Sequence, residues 1–396
     1  MKKYKRKMIL ATISLILIFL TTIATTFAWV GIFTYASVSE FELNIKASDY
    51  NAQYFLKISP TGEAGTYTDS LDPLDVKKQV LTNFGKNIEE YKTENEINLA
   101  YQKYSSELEG VTTTVDENNK FTDFKKISYE GKDALGYNSD RSKFHPGMVD
   151  GSGNALIFDF YLTVDTKEGI SDSTIVDVPV YMTNLEDTIE SAISTHILHQ
   201  NNFNSIDYSI LNYPNLVNSI DFLKSFEVGQ RIKVKAGNSA RIGFEVYEPI
   251  NIKDSYTDEN KVVGNYIYQG GSNTPGIEDD GTYNLGGILP KEYNTSVQEI
   301  EAVRSYLDVI IPDSALNRND RELVYGDDNK NVLLWNTTST DKTSGYLGVE
   351  KINGVSTQTK IKIRTYIWFE GWDADCLLGI SNQEVSFNLT FSADLD

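Results

Sequence analysis

The 396-residue sequence predicts a mainly β chain: an antiparallel, jelly-roll-like β-sandwich with inserted helices and an N-terminal signal or transmembrane helix. Three observations predict it. Apolar and polar residues alternate with period two near both ends of the chain. Tyr (24) and Phe (18) far outnumber Pro (9), which favours folded strands over a disordered stalk. Finally, the basic residues Lys2, Lys3, Lys5, Arg6 and Lys7 precede a stretch, Met8 to Ser39, that carries no charge.

Taken in order, that N-terminal segment has two readings. As a signal peptide it has a basic start, an apolar stretch from Met8 to Ile23 and a small residue, Ala28, before the scissile bond, so that cleavage would free Trp29. As a membrane anchor, Met8 to Phe33 is long enough to span a bilayer, with basic residues on the cytoplasmic side. Thr21, Thr22, Thr25 and Thr26 make its second half polar for a spanning helix. Residues 1–28 are therefore read as signal peptide or anchor, and residues 29–396 as one sandwich domain. The single cysteine, Cys376, excludes an intrachain disulfide and a lipidated cysteine behind the apolar stretch. The last residues, Leu389 to Asp396, form no hydrophobic tail, which leaves attachment to the N-terminus or to assembly.

Strands follow from alternation. Phe41, Leu43 and Ile45 alternate with Glu42, Asn44 and Lys46. Tyr54 to Ile58 forms a second short strand, closed by Ser59, Pro60, Thr61 and Gly62. In Asn154 to Asp165, the residues Leu156, Phe158, Phe160, Leu162 and Val164 make one wholly apolar face, as a sandwich core requires. Further strands are expected at Ile175 to Met182, Gln230 to Lys235, Ala240 to Tyr247, Lys360 to Glu370 and Glu384 to Ala393. The short loop Ala236 to Ser239 predicts that the strands on either side of it form a hairpin.

Helical spacing marks an insertion at about 74–108, through Val76, Val80, Leu81, Phe84, Ile88 and Tyr91 and then Ile97, Tyr101, Tyr104 and Leu108. Asp72 and Pro73 suit its start. Shorter helices are expected at Leu185 to Leu198 and Leu216 to Phe226. Gly110 to Asp123, Ser255 to Asn260, Gly270 to Tyr283 and Ser339 to Gly345 read as surface loops.

No catalytic constellation emerges, and the chain reads as a non-enzyme. His196 and His199, three apart on the expected helix, lack the intervening Glu of a zinc protease, and His145 stands alone. Cys376 sits beside Asp373 and Asp375, which would raise its pKa, so it reads as an inert thiol. Glu370, Asp373 and Asp375, three carboxylates in a turn after a core strand, are the candidate Ca²⁺ ligands. No other cofactor is implied. Glu278, Asp279, Asp280 and Asp327, Asp328 lack the pattern of a calcium loop. Tyr266, Tyr268, Tyr283 and Tyr293 flank loops of a composition that suits glycan stacking.

Removing residues 1–28 takes away five of 36 basic residues and none of the 56 acidic ones, moving the net charge from −20 to −25. Such a surface argues against nucleic acid as a partner and favours cationic or divalent-metal partners.

The run Thr25, Thr26, Phe27, Ala28, Trp29, followed by Ala36, Ser37 and the strand Phe41 to Ile45, resembles the export segment and first strand of TasA-like and camelysin-like secreted proteins of Gram-positive bacteria. The segment Tyr366, Ile367, Trp368, Phe369, Glu370, Gly371, Trp372, Asp373, Ala374, Asp375, Cys376 resembles a recurrent ending of secreted proteins in Bacilli and Mollicutes relatives. The resemblance implies cleavage after Ala28 by a signal peptidase of the SipW type. It also implies a jelly-roll or sandwich subunit that assembles into fibres on the cell surface. In that arrangement the first strand of one copy completes the sheet of the next, with Phe41, Leu43 and Ile45 as the inserted face. The expected protein is secreted or held on the outer face of the cell membrane, and its partners are itself or other surface proteins. The competing expectation is a membrane-anchored extracellular module that binds glycans or another surface protein.

Overall fold

The computed structural model describes residues 38–48, 54–113, 118, 120–121, 124–129, 146–150, 153–166, 174–183, 188–197, 225, 227, 229–269, 276–284, 321–325, 332–336, 345–370 and 383–393. Its strands are β1 (Val38–Ser48), β2 (Tyr54–Ser59), β3 (Val111–Thr112), β4 (Lys125–Tyr129), β5 (Pro146–Asp150), β6 (Leu156–Thr166) and β7 (Thr174–Asp177). There follow β8 (Val180–Thr183), β9 (Ile189–Ser191), β10 (Ile193–Ile197), β11 (Arg231–Lys235), β12 (Ala240–Tyr247), β13 (Ile250–Asn251) and β14 (Val262–Gln269). The last are β15 (Gly276–Ile277), β16 (Tyr283–Asn284), β17 (Arg321–Tyr325), β18 (Val332–Trp335), β19 (Gly348–Ile352), β20 (Val355–Phe369) and β21 (Gln383–Ser392). The helices are α1 (Pro73–Asn83) and α2 (Glu94–Ser105). The described chain is mainly β, and its sheets are antiparallel apart from two parallel pairs, β1 with β21 and β14 with β17.

The larger sheet runs β2, β6, β20, β12, β14, β17. Beyond that block, the first half of β20 forms a hairpin with β19, which in turn pairs with β7. The smaller sheet is built on β21, with β1 along one edge, β8 and β9 along the other, and β18 beyond β8. Pleat alternation sends Phe158 and Phe160 of β6, Ile242, Phe244 and Val246 of β12, and Ile361, Ile363 and Ile367 of β20 into one core, where all are buried. Val385, Phe387, Leu389 and Phe391 of the smaller sheet belong to the same core. Phe391 joins the two sheets, its ring centroid 4.9 Å from that of Phe160 and 6.3 Å from that of Phe244.

The expected insertion at about 74–108 is two helices separated by a 3₁₀ turn at Ile88–Glu90. Asp72 caps α1 by accepting from the Leu74 N–H, as the Asp-Pro pair suggests. Thr93 and Glu96 form a capping box on α2. Helix α1 also covers a sheet edge. The Gln79 amide brackets Asp159, accepting from its N–H at 2.7 Å and donating to its carbonyl at 2.9 Å, while Asn83 donates to the Ile157 carbonyl at 2.6 Å. These bonds satisfy the β6 backbone where β2 has ended.

Three expectations are corrected. Leu185 to Leu198 contains strands β9 and β10, not a helix. Ile189, Ile193 and Ile197 recur every four residues, which fits a helix face and an alternating strand equally, and these isoleucines, β-branched like Thr195 between them, favour the strand. Nor do β11 and β12 form a hairpin. Ala236–Ser239 is a buried 3₁₀ turn that sends β11 to pair with β10 and β12 to pair with β14 and β20. A tight hairpin does occur at Asn353 and Gly354, whose φ values of 51° and 78° supply the two positive positions such a turn demands. The expected strand Ile175 to Met182 is broken into β7 and β8 at Val178 and Pro179, where Pro179 has no N–H to donate. The expected helix at 216–226 lies outside the described residues but for Ser225.

Candidate functional site

The pleat that buries one face of β6, β12 and β20 puts a second set of residues on the opposite face. In register across the three strands stand Glu245, Arg364 and Asp159. This face is partly covered. Phe121 lies over it, 4.7 Å centroid to centroid from Tyr366 and 5.8 Å from Trp368, and Phe124 packs on the same two rings. Gly243 makes room for Phe121: a Cβ there would lie 2.5 Å from the Phe121 Cζ.

Glu245 is 1 % exposed. Its Oε1 accepts from the Phe121 N–H at 2.6 Å and the Tyr366 hydroxyl at 3.0 Å, and its Oε2 accepts from the Tyr247 hydroxyl at 3.0 Å. Burial pushes the Glu245 carboxyl above its ordinary pKa, outweighing those three donors and the nearby Arg364 charge. Burial likewise raises Tyr366 and Tyr247, with Glu245 adding to both. Beside them, Lys362 Nζ pairs with Asp159 Oδ2 at 2.9 Å and lies 5.0 Å from the Tyr247 ring centroid. Arg364 Nε stands 3.6 Å from Asp159 Oδ1, and both atoms are buried without a hydrogen-bond partner among the described residues.

A cleft of about 220 Å³ opens here. Lys120, Lys362 and Arg364 supply its cations, Tyr247, Tyr256 and Tyr366 its rings, and Thr257 and Asp258 part of its rim. Tyr256 is fixed by its hydroxyl, which lies 2.8 Å from the Glu248 carbonyl and 3.0 Å from that of Lys360 and accepts from the Lys362 N–H. The arrangement sets three cations and one exposed carboxylate, Asp258, beside a half-buried ring, Tyr256, while Tyr247 and Tyr366 are buried and both Glu245 oxygens are engaged. Sequence reading did not single it out. The alternation of Lys360, Lys362 and Arg364 with Ile361 and Ile363, in a strand otherwise built for a core, was the available signal.

A second feature is the groove along β21. Its backbone pairs with β9 through Val385 to Phe387 and with β8 through Thr390 to Ser392, and the Asn388 N–H donates to the Thr188 carbonyl. The remaining edge is filled by β1 along its length, with Phe41 beside Val385, Leu43 beside Phe387 and Ile45 beside Leu389. Ile45 is buried. At its C-terminal end β1 is also held from its outer side, where the Ala47 N–H donates to the Asp69 carbonyl and the Leu71 N–H to the Ile45 carbonyl.

Of the candidate Ca²⁺ ligands, Glu370 is buried and its Oε2 accepts from the Trp368 indole N–H at 3.1 Å, while Asp373 and Asp375 lie outside the described residues. Among the described residues no group of three or more His, Cys, Asp or Glu is placed to hold a metal. Asp280 instead pairs with Lys235 at 2.6 Å and accepts from Thr282, bonds that hold its carboxyl well below the usual range. Asp327, Asp328, His145, His199 and Cys376 lie outside the described residues, as do Ala28 and Trp29. Tyr266 and Tyr268 belong to strand β14, and Tyr268 is buried, so that ring is not a loop platform; Tyr293 lies outside the described residues. No helix among the described residues is long and apolar enough to cross a membrane, and Met8 to Phe33 lies outside them.

No family model, curated protein or solved structure matches this chain.

Proposed function

We propose that the chain is an exported, non-enzymatic structural protein of the cell surface. In this reading its two sheets form a jelly-roll-like sandwich and its first strand passes between copies to build an extracellular fibre or matrix. The charge-free run from Met8 to Ser39 behind five basic residues supports export. The observation that carries assembly is the parallel seating of β1 on the only edge of β21 that β8 and β9 leave open. A parallel partner is not joined to its neighbour by a tight turn, so a strand from another copy can fill the same edge with the same register. Candidate Ca²⁺ binding through Glu370, Asp373 and Asp375 stays part of this reading as a stabilising site.

Cysteines at Leu43 and Phe387, which stand side by side in register, test it in a Cys376→Ser background. Oxidation of the polymer should give a disulfide-linked ladder that collapses on reduction. A polymer yielding only internally bridged single chains, or no polymer, overturns strand exchange. The intact mass of chain recovered from its native cells separates one starting at Trp29 from one that keeps its apolar segment.

The cleft favours a second reading, a membrane-anchored extracellular module for glycans or another surface protein. The half-buried Tyr256 ring beside charged hydrogen-bonding groups suits the apolar face and hydroxyls of a sugar.

A further inference from the structure

We infer that residues 69–71 are a gate on strand exchange: they hold β1 in the groove of β21, open before it can leave, and close in the same way on a strand arriving from another copy. This regulation presupposes the strand-exchange reading and adds to it a device that sets the rate of exchange without moving its end point.

The gate is built from backbone groups. The Ala47 N–H donates to the Asp69 carbonyl at 2.8 Å, and the Leu71 N–H donates to the Ile45 carbonyl at 3.0 Å. A strand residue turns its N–H and C=O to the same edge, so Ile45 and Ala47 face residues 69–71 while Asn44, Lys46 and Ser48 face β21. The C-terminal end of β1 is thus gripped along both edges.

The gripping segment is itself anchored. Thr68 exchanges two backbone bonds with Ile58 of β2, both at 2.8 Å, and Lys57 pairs with the Asp69 carboxylate. Leu71 is buried in the core that also holds Ile45, Val76 and Tyr101. Asp72 follows as the cap of α1, and both helices pack against β1.

No tight turn ties a parallel strand to its neighbour, so this second edge adds to what retains β1. Parting it from residues 69–71 leaves backbone donors and acceptors on both sides without their partners, a cost met on the way to exchange. In the exchanged form an identical strand in the same register meets the same groups of Asp69 and Leu71. The bonds therefore cancel between closed monomer and polymer and remain in the barrier between them. The monomer stays closed, and the polymer, once built, is slow to release its subunits.

Ala47→Pro in the mature chain, residues 29–396, tests the gate. Proline removes the N–H that meets Asp69 and leaves the groups of Lys46 and Ser48 that face β21, a placement that an extended strand tolerates. Ala47→Val keeps the N–H and is the control. Light scattering follows polymer growth, its final amount and its loss on dilution. The proline variant should grow and release polymer at least about fivefold faster than wild type, with the same final amount, and the valine variant should match wild type. If the proline variant fails to fold, Asp72→Ala decides. It deletes the bond from the Leu74 N–H, loosens the start of α1 and with it residues 69–71, and should raise both rates about twofold. Wild-type or slower rates in the variant that folds overturn the gate. So does a changed final amount, which would place the bonds in one state and not in the barrier. In either case strand exchange still stands if the disulfide ladder through positions 43 and 387 forms. No polymer from wild type or variant removes strand exchange and the gate together.

Discussion

The Tyr366 hydroxyl donates to Glu245 Oε1 across 3.0 Å, and the Phe121 N–H donates to the same oxygen at 2.6 Å. One carboxylate thereby ties β20 to β12 and pins the segment at Phe121 to the outside of the sheet. With Oε2 engaged by Tyr247, Glu245 serves as the acceptor hub of the cleft, and its loss leaves three donors without the partner they share.

Glu245→Ala should therefore destabilise the protein by about 3 kcal/mol, since each buried donor left unmade costs on the order of 1–3 kcal/mol and relaxation recovers part of it. Urea unfolding measures the change. Glu245→Gln, which keeps an acceptor oxygen, should cost less than half as much. Equal losses for the two variants would mean that Glu245 acts by volume alone.

The same group sets a pH dependence. Burial raises its pKa above the ordinary 4.5, so between that value and the raised one the native state holds more protons than the unfolded chain. Stability contributed by Glu245 is then full below the ordinary value and falls as pH rises through the raised one. Glu245→Gln does not titrate. Its stability deficit relative to wild type should shrink as pH rises above the ordinary 4.5, and a deficit that grows instead would show that the donors, not burial, dominate.

Gly243 tests how the outer face is closed. Alanine there puts a Cβ 2.5 Å from Phe121 Cζ and 3.0 Å from Trp368 Cζ3. The clash should cost about 1–3 kcal/mol, and Phe121→Leu should relieve much of it. A double-mutant cycle measures the coupling; additivity would place Phe121 elsewhere in solution.

Between the sheets, Phe391 lies against Phe160 and Phe244 and is fully buried. Phe391→Ala should cost about 3–5 kcal/mol through lost contacts and the cavity left behind. Denaturant midpoints report it, and a change under 1 kcal/mol would mean that the two sheets are not held together here.

Where one face of one element decides the structure, the sequence was readable. Leu156, Phe158, Phe160, Leu162 and Val164 alternate and are all buried, and Asp72 caps the helix it seemed to start. Reading failed where local pattern is degenerate, as with the isoleucines at 189, 193 and 197, or where the partner of a strand is distant. Ala236–Ser239 looks like a hairpin loop, but β12 pairs with strands that come later in the chain. The cleft was hidden for the same reason. Asp159, Glu245 and Arg364 are far apart in sequence, and only the register of β6, β12 and β20 sets them in a row. Lys362 and Arg364 could have been flagged as cations alternating through a core strand, but nothing local says that Glu245 faces them.

The last prediction concerns the edge that β1 covers. A chain beginning at residue 45 keeps the two bonds that hold the end of β1 to Asp69 and Leu71, but it uncovers the β21 backbone beside Val385 and Phe387. Unpaired edge groups next to an apolar groove recruit another strand. The truncated protein should therefore aggregate at concentrations where the full mature chain does not, and a peptide of residues 38–48 should suppress that aggregation by refilling the edge. The same peptide with Leu43→Lys should fail, because at the register of Phe387 it carries a charge into the face on which Val385, Phe387, Leu389 and Phe391 are buried. Light scattering with and without each peptide makes the comparison. Equal rescue by both peptides would show that main-chain pairing alone suffices and that Phe41, Leu43 and Ile45 do not set the register. No rescue by either would show that β1 cannot be supplied from outside, which removes the physical basis for its exchange between copies.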